Sequence, residues 1–122
     1  MTTENIAHYN FKNHTKGDTF DGVLFTLKKN GVAVDLSVCT ITMDMRLTAL
    51  GAIAKSFTSA GSGGITIDAD PTSGKFVLDA QIIDIAAGTY MFDMQFLFDD
   101  TPDVVKTYIK GNWTILQDIT YS

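Results

Sequence analysis

The chain is poor in residues that cross-link a fold or carry out chemistry. Only one of its 122 residues is cysteine, Cys39, so no disulfide can close within the chain and packing must hold the fold. Prolines number two, which leaves long stretches free to pair as strands. Glutamate is nearly absent: thirteen of the fourteen acids are aspartate, and Glu4 is the exception. Glutamate favours helix faces, whereas aspartate competes for backbone hydrogen bonds and collects in turns and caps. The skew therefore argues against helices. Nine basic residues against fourteen acids leave a net charge of −5, which excludes the clustered basic surface that nucleic acid or an anionic membrane needs. The adjacent pair Lys28-Lys29 lies beside a turn and reads as solvated charge. No apolar run approaches the roughly 18 residues of a membrane-spanning helix. Met1 to Asn13 is polar and lacks a signal-peptide apolar stretch, so the expectation is a chain that is not secreted.

What is present points to strands. Hydrophobic residues at 45% beside 19% charged describe one packed domain. Sixteen threonines and eight phenylalanines favour pleated structure. Alternation of period two, broken by turn signals roughly every ten residues, is the pattern of a sandwich or barrel. It predicts a first strand within Ile6–His14, then Phe20–Lys28 with Val23, Phe25 and Leu27 inward. Asn30-Gly31 is a type I′ hairpin signal, leading into Val32–Val34. In Val38–Leu47, Cys39, Ile41, Met43, Met45 and Leu47 share the core face, and Thr40, Thr42, Asp44 and Arg46 the other. Ile53–Phe57 follows, then a hairpin of Ile65–Asp68 and Lys75–Asp79 around Asp70-Pro71-Thr72-Ser73-Gly74. Gln81–Ala87 is the one helix-like patch, a single turn at most. Gly88–Phe98 carries Tyr90, Phe92, Met94, Phe96 and Phe98 on one face and is the expected central strand. In the final strand, Val104–Thr120, alternation points Val105, Ile109, Trp113, Ile115 and Ile119 inward, with a bulge or bend at Gly111. Residues 1–15 are expected to form an arm or first strand, and 16–122 one sandwich domain.

Candidate chemistry is sparse. His8 and His14 share strand parity but have no carboxylate or cysteine placed to complete a metal site. Cys39 lies on an apolar parity, where a thiol packs as a small hydrophobe. There is no nucleophile elbow and no plausible Ser-His-Asp set. Gly61-Ser62-Gly63-Gly64 lacks the Lys-Ser/Thr of a phosphate loop. Asp68-Ala69-Asp70 and Asp99-Asp100-x-x-Asp103 lack the glycine and glutamate of a calcium loop and read as turns. The sequons at Asn13 and Asn112 have no meaning without export. No catalytic, cofactor-binding or metal-binding residue is assigned. On the parity opposite the core, Met91, Leu97, Tyr108 and Leu116 form a candidate interface patch.

Two stretches carry a resemblance. Gly88-Thr89-Tyr90-Met91-Phe92, with Asp84 upstream, resembles the immunoglobulin tyrosine corner, although Phe92 stands where antibody domains carry a cysteine. More specific is the order Lys16-Gly17-Asp18-Thr19-Phe20-Asp21-Gly22, Gly31-Val32-Ala33-Val34-Asp35-Leu36-Ser37, Met43-Asp44-Met45-Arg46, Gly74-Lys75-Phe76, Gly88-Thr89-Tyr90 and Lys110-Gly111-Asn112-Trp113-Thr114-Ile115. This order resembles small immunoglobulin-like virion proteins of tailed bacteriophages, including phages of Bacteroidota hosts. It is also similar in outline to the N-terminal domain of phage baseplate upper proteins. The resemblance covers roughly Lys16–Thr120. It implies a non-enzymatic virion component without a cofactor, assembled in the host cytoplasm and binding other virion proteins and copies of itself in the tail, baseplate or fibre-attachment region. A capsid decoration or head-fibre protein is the nearest alternative. A carbohydrate-binding host-attachment module is the alternative from another class, and exposure of Trp113 beside Tyr108 would favour it. The expected fold is an all-β, immunoglobulin-like antiparallel sandwich of about seven to nine strands.

Overall fold

Backbone pairing follows the alternation closely. The computed structural model describes residues 7–48, 50–99 and 104–117. Its strands are β1 (Ala7–His8), β2 (His14–Thr15), β3 (Thr19–Phe20), β4 (Val23–Thr26), β5 (Lys28–Lys29), β6 (Val32–Ala33) and β7 (Cys39–Arg46). The second half adds β8 (Ile53–Thr58), β9 (Ile65–Ile67), β10 (Lys75–Leu78), β11 (Gln81–Ile82), β12 (Gly88–Phe98) and β13 (Val104–Leu116). Nine of these thirteen build the two main sheets, and the other four pair as β3 with β11 and β5 with β6. The larger sheet is six-stranded, in the order β1-β13-β12-β7-β8 with β2 also on β13; the smaller is β4-β10-β9. Thus β4-β10-β9 and β13-β12-β7 follow the B-E-D and G-F-C orders of an immunoglobulin sandwich. The main ladders are antiparallel, whereas β1 and β2 join β13 in parallel.

The inward parity of β7 and β12 fills the space between the sheets. Ile41, Met43, Met45, Met94 and Phe96 are fully buried, and Phe96 meets Phe76 of the smaller sheet edge-on at 5.6 Å. Phe76 in turn stacks on Phe25 of β4 at 5.2 Å. Turn chemistry falls where expected. Asn30 and Gly31 take φ of 53° and 78° between β5 and β6, as a type I′ turn requires. At the start of β12, Tyr90 Oη donates to the Ala86 carbonyl four residues upstream at 2.5 Å, closing a tyrosine corner.

The departures from the sequence expectation have local causes. Gln81–Ala87 forms no helical turn: Gln81 and Ile82 pair with Phe20 and Thr19, because β3 offers them a partner. The one helical turn among the described residues is Pro71–Ser73, where Asp70 caps the Thr72 amide and proline occupies the start. The expected strand Phe20–Lys28 divides into β3, β4 and β5. Its first break falls at Gly22, whose φ of 92° favours glycine. Leu47 lies beyond the end of β7 and is exposed. Ile6, Ile119 and the turn residues Asp100 to Asp103 lie outside the described residues.

The arm belongs to the sandwich. Phe11 is buried, stacked on Trp113 at 4.2 Å and edge-on to Phe92 at 5.1 Å. The Tyr9 amide donates to the Lys110 carbonyl at 2.9 Å, and the Phe11 amide to the Asn112 carbonyl at 3.1 Å. Gly111 makes this approach feasible: a Cβ there would lie 1.7 Å from the Tyr9 carbonyl oxygen. Gly111 is thus a site of close backbone contact, not of a bulge. It pairs in register with Phe92, and the register shift falls three residues away, where Tyr108 is the extra residue between Ile109 and Thr107.

Candidate functional site

That bulge decides which side chains reach the solvent face of the larger sheet. A bulge sets two residues of one strand against one of the other, so both lean to the same face and the alternation beyond them inverts. Here Tyr108 and Ile109 stand against Met94. Tyr108 is half-buried on the core side, with its ring 5.4 Å from Phe96 and 6.5 Å from Phe98. Val105, expected in the core, faces outward opposite Leu97 and is 57% exposed.

The candidate patch is therefore changed. Met91, Leu97 and Leu116 do lie on the outer face, at 45%, 38% and 43% exposure. Tyr108 does not join them. Met91 and Leu97 are six residues apart on β12, about 20 Å along a strand. Leu116 lies next to Ile115, the partner of Gly88 at the far end of the ladder. The three are separate apolar points on one face. Leu97 has a neighbour that alternation did not give it, Val105.

Between these points the face is polar and charged. Asp93 of β12 stands directly opposite Asp44 of β7 and Lys110 of β13. Lys110 pairs in register with His8 of β1, so one row across the sheet reads Ser56, Asp44, Asp93, Lys110, His8. Ser56 Oγ donates to Asp44 at 2.7 Å. The Arg46 guanidinium donates to the Gly51 carbonyl at 2.8 Å and sits 4.0 Å from the Asp44 carboxylate. Burial and the facing Asp44 push the Asp93 carboxyl above the ordinary aspartate range, against the opposite pull of Arg46 and Lys110. Neighbouring rows are neutral: Thr42, Gln95 and Thr107 on one side, Arg46 excepted, Met91 and Asn112 on the other. Strand alternation puts Asp44 and Asp93 on outer parities, but only the register sets them against each other.

The remaining concavities offer little chemistry. An open cleft of about 610 Å³ lies between the edges β8 and β9, bordered by the Gly61–Gly64 loop. A strand follows that loop, not the helix a phosphate cradle uses. Three of its polar side chains are engaged locally: Thr66 Oγ1 lies 2.9 Å from both Asp79 oxygens, and Gln81 Nε2 donates to the Asp79 carbonyl at 3.0 Å. A groove of about 390 Å³ runs between the arm and β3–β4, past Tyr9, His14 and Phe20. His14 is engaged there, its Nε2 lying 2.9 Å from the Asp18 carbonyl. Cys39 is half-buried, and burial pushes its thiol up to about 11, so little thiolate is available near neutral pH. Asp68 and Asp70 bind their own turn, accepting from the Asp70 and Thr72 amides at 3.1 and 3.2 Å. Among the described residues, no three histidine, cysteine or acidic side chains gather in a way that would hold a metal ion, and no helix is long and apolar enough to cross a membrane.

No protein-family model and no curated protein matches this sequence.

Proposed function

We propose that this chain is a non-enzymatic structural component of a tailed-bacteriophage virion, working as a protein–protein interaction module in the tail, baseplate or fibre-attachment region. The observation that carries the reading is the outer face of the larger sheet. It is a broad surface on the two longest strands, and it mixes exposed Met91, Leu97 and Val105 with the charged row through Asp93 and Lys110. Interfaces combine apolar contact with complementary charge in this way. Away from that face, Asp35, Asp68 and Asp70 accept from amides of their own turns. The resemblance in Lys16–Thr120 supplies the setting, a virion particle, and copies of this chain or other virion proteins as partners.

The carbohydrate-binding reading called for Trp113 and Tyr108 exposed side by side. Trp113 has no exposed surface, and Tyr108 packs on Phe96, so that platform is not formed. Position in the particle is read by immunogold labelling of purified phage with antibodies to the chain. Label at the tail end is expected, and label over the head would select a capsid decoration or head-fibre role. Particles free of both label and peptides from this chain would refute the virion assignment.

A further inference from the structure

The charged row is arranged so that the face complements itself, and we infer that two copies of this chain pair through it, sheet on sheet, about a two-fold axis parallel to the strands between β12 and β13. The inference rests on the reading of the outer face as an assembly surface and names its partner.

Register decides how two such faces can meet. Two identical sheets can meet face to face about an axis in the plane between them, running either along the strands or across them. An axis across the strands at this row sets β12 on the partner's β12, so Asp93 meets a second Asp93. Like charges brought together and stripped of water are strongly unfavourable. An axis along the strands reverses the row instead. Asp93 then meets the partner's Lys110, Lys110 meets the partner's Asp93, and Asp44 faces the partner's His8. The same axis keeps like ends together, so the apolar end formed by Leu97 and Val105 meets its own copy. The charge pattern therefore selects one of the two packings. The row occupies the third of five outward positions along the ladder, Thr89, Met91, Asp93, Gln95 and Leu97. It stays matched even when twisted sheets pack at about 30° to each other.

Area sets the strength. The eleven-residue β12 spans about 36 Å, and four strands span roughly 15–20 Å. That gives at most about 700 Å² per copy, near the lower part of the range for specific complexes. A reversible, concentration-dependent dimer is expected, strengthened where many copies sit side by side.

The test uses charge reversal in two separate chains. Asp93→Lys presents two lysines to its copy, and Lys110→Asp presents two aspartates. Each variant alone should associate at least tenfold more weakly than the parent in sedimentation velocity. An equimolar mixture of the two should recover dimer to within about threefold, because each lysine then meets an aspartate across the interface. Repair of the pair inside one chain cannot produce that recovery. Thermal melts confirm that each variant folds. If Lys110→Asp fails to fold, Leu97→Asp on the exposed apolar end serves instead, and it should also weaken association at least tenfold. A parent that stays monomeric at millimolar concentration, or single variants that associate like the parent, overturns the two-fold. So does a mixture that fails to recover dimer. None of these solution results bears on the virion reading, which stands or falls on the labelling of particles.

Discussion

Gly111 offers a test in which the sign of the effect is informative. In a strand interior, alanine is ordinarily better than glycine by about 0.5–1 kcal/mol, because glycine loses more backbone freedom on folding. Gly111 has no left-handed backbone to protect, so a free strand would gain from Gly111→Ala. The arm reverses the expectation. A Cβ would stand 1.7 Å from the Tyr9 carbonyl oxygen and 2.7 Å from its carbon, both backbone atoms that cannot swing aside. The arm must lift. Three hydrogen bonds then break: Tyr9 to Lys110, Phe11 to Asn112, and the Asn112 amide to Asn10 Oδ1 at 3.1 Å. At about 1 kcal/mol each they contribute about 3 kcal/mol. Uncovering Phe11 from Trp113 and Phe92 adds about 2 kcal/mol. The freed arm regains conformational entropy, which offsets part of that sum. The net expectation is a loss of about 2–4 kcal/mol, or roughly 6–20 °C in melting temperature for a chain of this size. Urea titration supplies the free energy, and hydrogen exchange locates it at the Tyr9 and Phe11 amides. Gly88→Ala, at the start of β12, is the control, since no left-handed backbone is involved and a Cβ there meets only the end of the exposed Leu47 side chain at 3.1 Å and the Tyr90 ring at 3.9 Å. A Gly111→Ala protein as stable as the parent, with both arm amides still protected, would refute the reasoning.

Two further outcomes follow from the same geometry. Tyr90→Phe removes the Tyr90 hydroxyl's bond to the Ala86 carbonyl and should cost about 1 kcal/mol in urea titration, with burial of the ring unchanged; no measurable loss would mean that the corner contributes nothing. Asp93 has a folded-state pKa above its ordinary value, so the penalty for its charge is absent below the aspartate range and complete once pH has risen through the folded pKa. In solution dilute enough to be monomeric, Asp93→Asn should therefore raise the melting temperature at about pH 7 and leave it unchanged at about pH 3. Equal gains at both pH values would contradict that assignment.

Much of the fold was legible because local signals and long strands agree. The five alternating side chains from Tyr90 to Phe98 set the core face of β12, and Asn30-Gly31 marked its hairpin without help from the rest of the chain. The tyrosine corner was expected from the resemblance in Gly88–Phe92, and the Tyr90–Ala86 bond forms it. What escaped the sequence was set by partners. Tyr108 and Ile109 are both apolar, so either parity reads as a strand, and only the opposing β12 shows which residue is extra. Glycine within a strand has two meanings, bulge or close approach, and at Gly111 the Tyr9 backbone chooses between them. The parallel docking of the arm joins residues about a hundred positions apart and has no local signature. The candidate patch suffered for the same reason. Three of its four residues reach the outer face, whereas the charged row that organises that face arises only from register between β7, β12 and β13.

The central claim is that this chain works through the outer face of its larger sheet. Lysine cross-linking of purified particles that carry it, read by mass spectrometry, tests the claim directly. Lys110 lies on that face, while Lys75 is exposed on the smaller sheet and Lys28 in the β5–β6 hairpin. Intermolecular links concentrated at Lys110 are predicted. Links at Lys28 and Lys75, with Lys110 left unlinked and open to solvent, would contradict the account.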